Sequence, residues 1–263
     1  MNKEKHFRHR QQGFSLLELL VAVAILGIVS GGVLSQMDLA VQRSSAEQVK
    51  LDNFQEARDF VDQFFRDINQ IGFPNLRTAD TTSIGWSPSL VKQTTYSWAS
   101  QYINDNRFAI GLVKIDANEI RFEADTNGDG NVQSIVYKVN GSGSCTLCLQ
   151  RSQIDKTSND PLTGQTPNWG TEVNDVVSSP IFNYFKADGT PVTALPVDIS
   201  TQAGAQTLAS IKTIQISLVI RNNNVKDLKT GLPLETSFEG EVSLNNCSMA
   251  AAYSSTLAPM GCE

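Results

Sequence analysis

The hydrophobic pattern of this chain changes twice, and each change marks an element. Residues 14–37 are apolar almost without interruption, and from Leu19 to Met37 nineteen residues carry no charge. At about 1.5 Å of helical rise per residue, that run nearly crosses a hydrocarbon core of roughly 30 Å. From residue 38 onward the pattern becomes one-sided. Val49, Phe54, Ala57, Val61, Phe64, Phe65, Ile68 and Ile71 recur at three- and four-residue spacing, as the buried stripe of an amphipathic helix does. Asp52, Glu56, Arg58, Asp59, Asp62, Arg66 and Asp67 are assigned to its polar face. Gly72-Phe73-Pro74 supplies the stop, with glycine after the last periodic residue and proline just beyond. The pattern therefore predicts one helix from Phe14 to Ile71, about 87 Å long at standard rise. Its first half is apolar all round, and its second half packs against a domain.

Beyond the helix the period falls to two. Residues 74–108 are rich in Ser, Thr, Asn and Asp and read as an irregular connection, with a short helix near Tyr96 to Ile103. Strands are expected at Phe108 to Ile115, Glu119 to Ala124, Ser134 to Val139, Leu147 to Ser152, Ile181 to Lys186, Thr213 to Asn222 and Phe238 to Leu244. Ile120-Arg121-Phe122-Glu123 alternates like a half-buried antiparallel strand. Thr213 to Ile220 alternates most clearly and is expected at the centre of a sheet, while residues 153–180 read as polar and turn-rich. A long helix followed by an antiparallel sheet is an α+β plan.

Charge and composition narrow the chemistry. The chain has 263 residues, 40% of them hydrophobic, and a net charge of −6. Lys3, Lys5, Arg8 and Arg10 against Glu4 give the first thirteen residues a net of +3, which leaves −9 beyond them. Positive charge before an apolar helix stays on the cytoplasmic side and orients the rest outward. An acidic domain is a poor partner for nucleic acid, which needs clustered Lys and Arg at the phosphates. Both histidines, His6 and His9, lie in the basic leader. Without them the remainder lacks the base of a Ser-His-Asp or Cys-His site and any histidine ligand for zinc or iron. No carboxylate pair stands out for acid/base work, and no Gly-rich phosphate loop is present. The chain is not expected to be an enzyme.

Glu18 is the one acid near the start of the apolar run. A carboxylate at membrane depth costs several kcal/mol unless it finds a partner, so the position is a candidate functional site. Before it stands Gly13-Phe14-Ser15-Leu16-Leu17-Glu18, preceded by the basic leader and followed by no Ala-x-Ala cleavage site. That order does not suit an ordinary secretory signal; an uncleaved signal anchor is the bland reading. The segment resembles the class III signal of type IV prepilins over residues 13 to about 40, and more loosely beyond; the chain as a whole, by its length and large sheet domain, most resembles PilW-type minor pilins. The resemblance implies cleavage after Gly13 by a prepilin peptidase, methylation of Phe14 as the new N-terminus, and use of Glu18 in assembly. A buried Glu carboxylate needs a cation, and the exposed N-terminal ammonium of a neighbouring subunit supplies one. Many major pilins carry a proline about twenty residues into the mature helix; here Gly31-Gly32 stands instead. Two glycines cost about 1 kcal/mol each in helix propensity and supply a weak point.

Two further motifs need a reading. Asp125-Thr126-Asn127-Gly128-Asp129-Gly130-Asn131 copies the first half of a calcium loop, but Val136 stands where the twelfth-position Glu belongs. It reads as a hairpin turn whose Asn, Asp and Gly accept positive φ. The alternative is the same turn holding calcium through Asp125, Asn127 and Asp129 with the Asn131 carbonyl; no other cofactor is expected. Cys145, Cys148, Cys247 and Cys262 all follow the apolar segment. An even count in an exported domain points to disulfides, with three pairings open. Cys145–Cys148 with Cys247–Cys262 is favoured, the second closing a C-terminal loop like that of many pilins. Crossed pairings stay open, and a Cys-x-x-Cys redox or zinc site is disfavoured.

The expected organisation is thus a cleaved leader (1–13), a membrane or fibre-core half-helix (14–37), an amphipathic half-helix (38–72) and a sheet domain with a C-terminal disulfide loop (73–263). The apolar half of the helix is expected to protrude. The resemblance implies a minor pilin acting in assembly, initiation or at the tip of a type IV pilus, with roles in motility and adhesion. Its partners would be other major and minor pilins, the prepilin peptidase and methylase, and an inner-membrane assembly platform. It would start in the inner membrane with a periplasmic domain and end at the cell surface. The runner-up is a pseudopilin of a type II secretion system. Alternatives of other classes are an anchored calcium-binding adhesin or receptor that never polymerises, and an anchored hydrolase using paired carboxylates.

Overall fold

A computed structural model of the chain describes residues 15–73, 106–107, 109–140, 146–227 and 230–244. The chain divides into two compact units, Met1–Gln48 and Val49–Glu263. Helix α1 runs from Leu16 to Asn69, 54 residues, matching the expected helix to within two residues at each end. Gly72 follows with φ +74°, the left-handed geometry that an L side chain resists. Its N–H donates to Glu123 O and Phe73 O accepts from Asp125 N, so the helix end is tied to a strand. Pro74 and the expected helix near residues 96–103 lie outside the described residues.

In the first unit the apolar side chains of α1 are exposed: Leu16 is 80% accessible and Ile28 77%. The helix continues through Gly31 and Gly32, and a Cβ at either would meet nothing within 4 Å.

The second unit builds two antiparallel sheets. Strands β1 (Leu112–Ile115), β2 (Glu119–Ala124), β3 (Gln133–Val139), β4 (Leu149–Asp155), β5 (Trp169–Val173) and β7 (Val197–Asp198) form a six-stranded sheet in the order β5-β4-β3-β2-β1-β7. Strands β6 (Phe182–Lys186), β8 (Ile211–Lys226) and β9 (Pro233–Ser243) form a three-stranded sheet with β8 in the middle. The central place expected for residues 213–220 is therefore found, but in the smaller of two sheets rather than in a single one. A short helix, α2 (Gln202–Ala209), precedes β8. Thr201 caps it by accepting from Gly204 N, and a Cβ at Gly204 would lie 2.1 Å from Asp198 O. Neither α2 nor β5 was expected. β5 is a polar edge strand with little alternation, and α2 is two turns long and buries only Ala205 and Leu208 among its described side chains.

The second half of α1 fills the space over both sheets. Ala57, Phe60, Val61, Phe64 and Ile68 are buried. Phe64 lies 5.3 Å from the Tyr137 ring of the large sheet and 5.5 Å from the Phe182 ring of the small one. One side chain thus bridges both layers, with edge-to-face and stacked contacts that add to its area burial. Phe54 departs from expectation by being 45% exposed, although its ring still meets Phe238 at 5.8 Å.

Asp67 is the clearest correction. Assigned to the polar face, it is instead 1% exposed. It sits between Phe64 and Ile68 on the stripe, where a lone charge would be costly. Arg151 on β4 meets Asp67 Oδ2 through Nη2 at 2.7 Å and Nε at 2.8 Å, and the Tyr137 hydroxyl donates to the same oxygen at 2.7 Å. Gln63 donates to the other oxygen. A second correction falls on β2, expected to be half-buried: Glu119 and Glu123 on its polar face are both buried. Lys114 and Lys138 reach Glu119 at 3.0 and 3.1 Å, and Lys156 reaches Glu123 at 2.7 Å. Glu123 Oε2 also accepts from Ile110 N, while Oε1 has no hydrogen-bond partner among the described residues.

These charges give two measurable expectations. Asp67→Ala leaves Arg151 buried without its partner and is expected to destabilise by about 3–5 kcal/mol. Tyr137→Phe removes two hydrogen bonds, one donated to Asp67 and one accepted from Arg151 Nε at 3.0 Å, but leaves the ion pair in place, and costs about 2 kcal/mol. Urea unfolding of the detergent-solubilised chain, followed by near-ultraviolet circular dichroism, checks that order. The two glutamates respond oppositely to pH. Burial acts to raise the Glu119 carboxyl, but hydrogen bonds and charge from Lys114 and Lys138 hold it below its ordinary 4.5. Its stabilisation is present above that value and is lost as the pH falls. Burial pushes Glu123 above 4.5 against the pull of Lys156. The stability that its bound proton gives is present below 4.5 and is lost as the pH rises through the folded value. In thermal melts across pH, the advantage of wild type over Glu119→Gln should shrink on acidification. The position of wild type relative to Glu123→Gln should worsen on raising the pH.

Candidate functional site

The site that the sequence singles out lies at the start of α1. Gly13 and Phe14 lie outside the described residues. Ser15 is the residue before the helix, and its carbonyl accepts from Leu19 N at 3.1 Å. Glu18 falls in the first helical turn. Four unsatisfied N–H groups and the positive end of the helix dipole are found there, and both favour a carboxylate. No hydrogen bond or ion pair to Glu18 occurs among the described residues. Its neighbours are apolar and open: Leu17 is 73% exposed, Leu19 61% and Val21 50%. The best 18-residue window of α1 has a mean hydropathy of 2.4 and none of it is buried. A helix of that length and composition is able to cross a membrane, and the whole patch lacks the cover that α1 receives between Ala57 and Ile68.

The Asp125–Asn131 turn is described in full and closes on itself. Asp125 accepts from Gly128 N through Oδ1 and from Gly130 N through Oδ2, at 2.8 and 2.9 Å. Asp129 accepts from Asn131 N at 2.7 Å, a bond that draws its carboxyl below the ordinary range. Gln133 Nε2 donates to Asn127 Oδ1 and to the Asn131 carbonyl. Gly128 and Gly130 take positive φ, as a turn of this sequence requires. Each candidate ligand atom is thus engaged by an N–H group, and among the described residues no three His, Cys, Asp or Glu side chains converge on a metal position.

Of the four cysteines, Cys148 is described. It is buried and disulfide-bonded, and its partner lies outside the described residues. Cys145, Cys247 and Cys262 also lie there, and with them both favoured pairings.

Sequence reasoning found Glu18 because an acid interrupts an apolar run. It missed Asp67 because that acid interrupts an amphipathic pattern, in which one more charge passes for solvated surface. The available signal was its spacing, three residues after Phe64 and four before Ile71.

A comparison with curated proteins gives no match. Residues 8–34 match the family model of the prokaryotic N-terminal methylation motif. That motif implies processing by prepilin peptidase, and with the apolar helix it fits a membrane-anchored single-pass protein. The class III prepilin signal at residues 8–34, opening a long helix that leads into antiparallel sheets, supports a type IV pilin-like or pseudopilin-type protein.

Proposed function

We propose that the chain is a minor pilin of a type IV pilus. In this reading residues 1–13 are removed after Gly13, Phe14 is methylated, and residues 14–37 pass from the inner membrane into the fibre core. The domain begins in the periplasm and reaches the cell surface with the pilus. The observation that carries the reading is Glu18: an acid in the first turn of α1, just before nineteen uncharged residues, with no partner among the described residues of its own chain. A neighbour's N-terminal ammonium supplies the missing cation, and the charge pair sets the register of apolar helices that otherwise slide. The large two-sheet domain favours a specialised subunit over the shaft, acting in assembly or at the tip, with other pilins, the peptidase and an assembly platform as partners. The chain then serves as a structural subunit without catalysis, as pilin-type proteins generally do. Cys145–Cys148 and Cys247–Cys262 remain the proposed disulfides. Gly31-Gly32 remains the proposed weak point of the helix.

Intact mass and N-terminal sequencing of protein from native membranes test this reading. A chain starting at methylated Phe14 is expected. Glu18→Ala should still anchor but fall at least about tenfold in sheared fibres, since an unpaired buried charge costs well over 1.4 kcal/mol. Retention of the basic leader sinks the proposal. Recovery with a secretion apparatus and not with pili moves it to a pseudopilin. Calcium in the Asp125–Asn131 turn is a separate proposal. If it holds, calcium raises the melting temperature of wild type and leaves Asp129→Ala unmoved.

A further inference from the structure

The large sheet carries a cleft of about 450 Å³ at its β5 end, within the size range of small-molecule sites. Its floor follows from strand register. Arg151, Gln153 and Asp155 alternate onto one face of β4, paired with Tyr137, Ile135 and Gln133 of β3. Opposite Arg151 on β5 stands Gly170, so no side chain covers that part of the floor. Asn127 of the turn closes one side, and Asn168, Trp169 and Glu172 border the other.

Two sets of polar groups line the cleft. The first is fixed. Arg151 donates to Gln153 Oε1 at 2.6 Å while held by Asp67, and Gln153 donates to Thr126 Oγ1. Gln133 joins Asn127 to the Asn131 carbonyl. The second set is free: the side chains of Asp155, Asn168 and Glu172 make no hydrogen bond among the described residues.

We propose that this cleft binds a neutral saccharide, a hexose or N-acetylhexosamine unit of a glycan. Carboxamide and carboxylate groups side by side match hydroxyls, each of which donates and accepts at once. Asp155 and Glu172 repel phosphate, sulfate and acidic sugars. The charge of Arg151, at the centre of the floor, is offset by Asp67, so its guanidinium offers hydrogen bonds without drawing an anion. The polar lining gives a lipid chain nothing to bury against. Trp169 pairs with Ser152, so it borders the site from the strand edge rather than standing on the floor. The inference does not rest on the pilin reading, because the cleft belongs to the Asp125–Asn131 turn, β3–β5 and Asn168 just before β5.

The test is saturation-transfer difference NMR on the detergent-solubilised full chain with glucose, galactose, mannose, N-acetylglucosamine and N-acetylgalactosamine, each up to about 10 mM. At least one sugar is expected to bind saturably. Asp155→Ala should weaken it about tenfold, by removing an exposed acceptor. Gly170→Leu should abolish it by filling the space over Arg151; a Cβ there meets only Arg151 O, at 3.8 Å, so the strand tolerates the change. Glu241→Gln, on the other sheet, should bind as wild type, and equal melting temperatures confirm that all variants fold. If no sugar gives saturable transfer, or if Gly170→Leu binds as wild type does, the proposal is overturned.

Discussion

The second unit depends on one docking event, the seating of α1 between Ala57 and Ile68 against two sheets at once. Phe64 is the geometric centre of that contact, since its ring touches Tyr137 on one sheet and Phe182 on the other. Apolar contact alone is non-directional, however, and a helix held by it slides along its axis. The Asp67–Arg151–Tyr137 cluster removes that freedom. Three groups converging on one carboxylate oxygen fix the rotation and the axial position of the helix relative to β3 and β4. Any slip leaves a buried carboxylate and a buried guanidinium unpaired, and that penalty far exceeds the cost of rearranging apolar side chains.

How much of this was legible depends on whether a residue's neighbours in sequence are also its neighbours in space. The helix end was legible because Gly72 acts locally, through a positive φ that glycine alone accepts without strain. β2 was legible to the residue, because Glu119 to Ala124 alternates and the Asp125–Asn131 turn marks its end. The centrality of residues 213–220 was legible from their alternation. β5 and α2 were not. The first is a strand because β4 offers it an edge, and the second is a helix because Asp198 and Thr201 organise its start. In both, the deciding partner is distant or the local signal is a few residues long. The split into two sheets escaped for the same reason, since period-two patterns give the face of a strand and never its neighbour.

Buried charge is the systematic blind spot. Asp67 was assigned to a polar face and β2 to a half-buried strand, because a sequence shows the charge and hides its counter-ion. Arg151 is 84 positions from Asp67, and Lys156 is 33 from Glu123. The turn at residues 125–131 is the reverse case. Its calcium-like spacing is real, yet the same oxygen atoms are spaced equally well for backbone N–H groups two to five residues away. Local sequence therefore explains the turn without a ligand, and a ligand must displace bonds already made.

Glu18 and Asp67 stand on one helix and pose one question: where the counter-charge of an acid in apolar surroundings comes from. Asp67 answers it within the chain, through an arginine on a strand that the helix must in any case cover. Glu18 has no such strand. The residues around it are exposed leucines and valines, and the described residues bring no cation to it. The same desolvation cost that makes Asp67 a structural pin makes Glu18 a demand on something outside the fold. In the pilin reading proposed above, an apolar segment whose first-turn acid finds no partner among the described residues is completed by whatever carries a positive charge at that depth. In that reading, the positive charge of matching depth is the N-terminus of another such chain. That is why the case for a polymerising subunit rests on the cation that the described residues do not bring to Glu18.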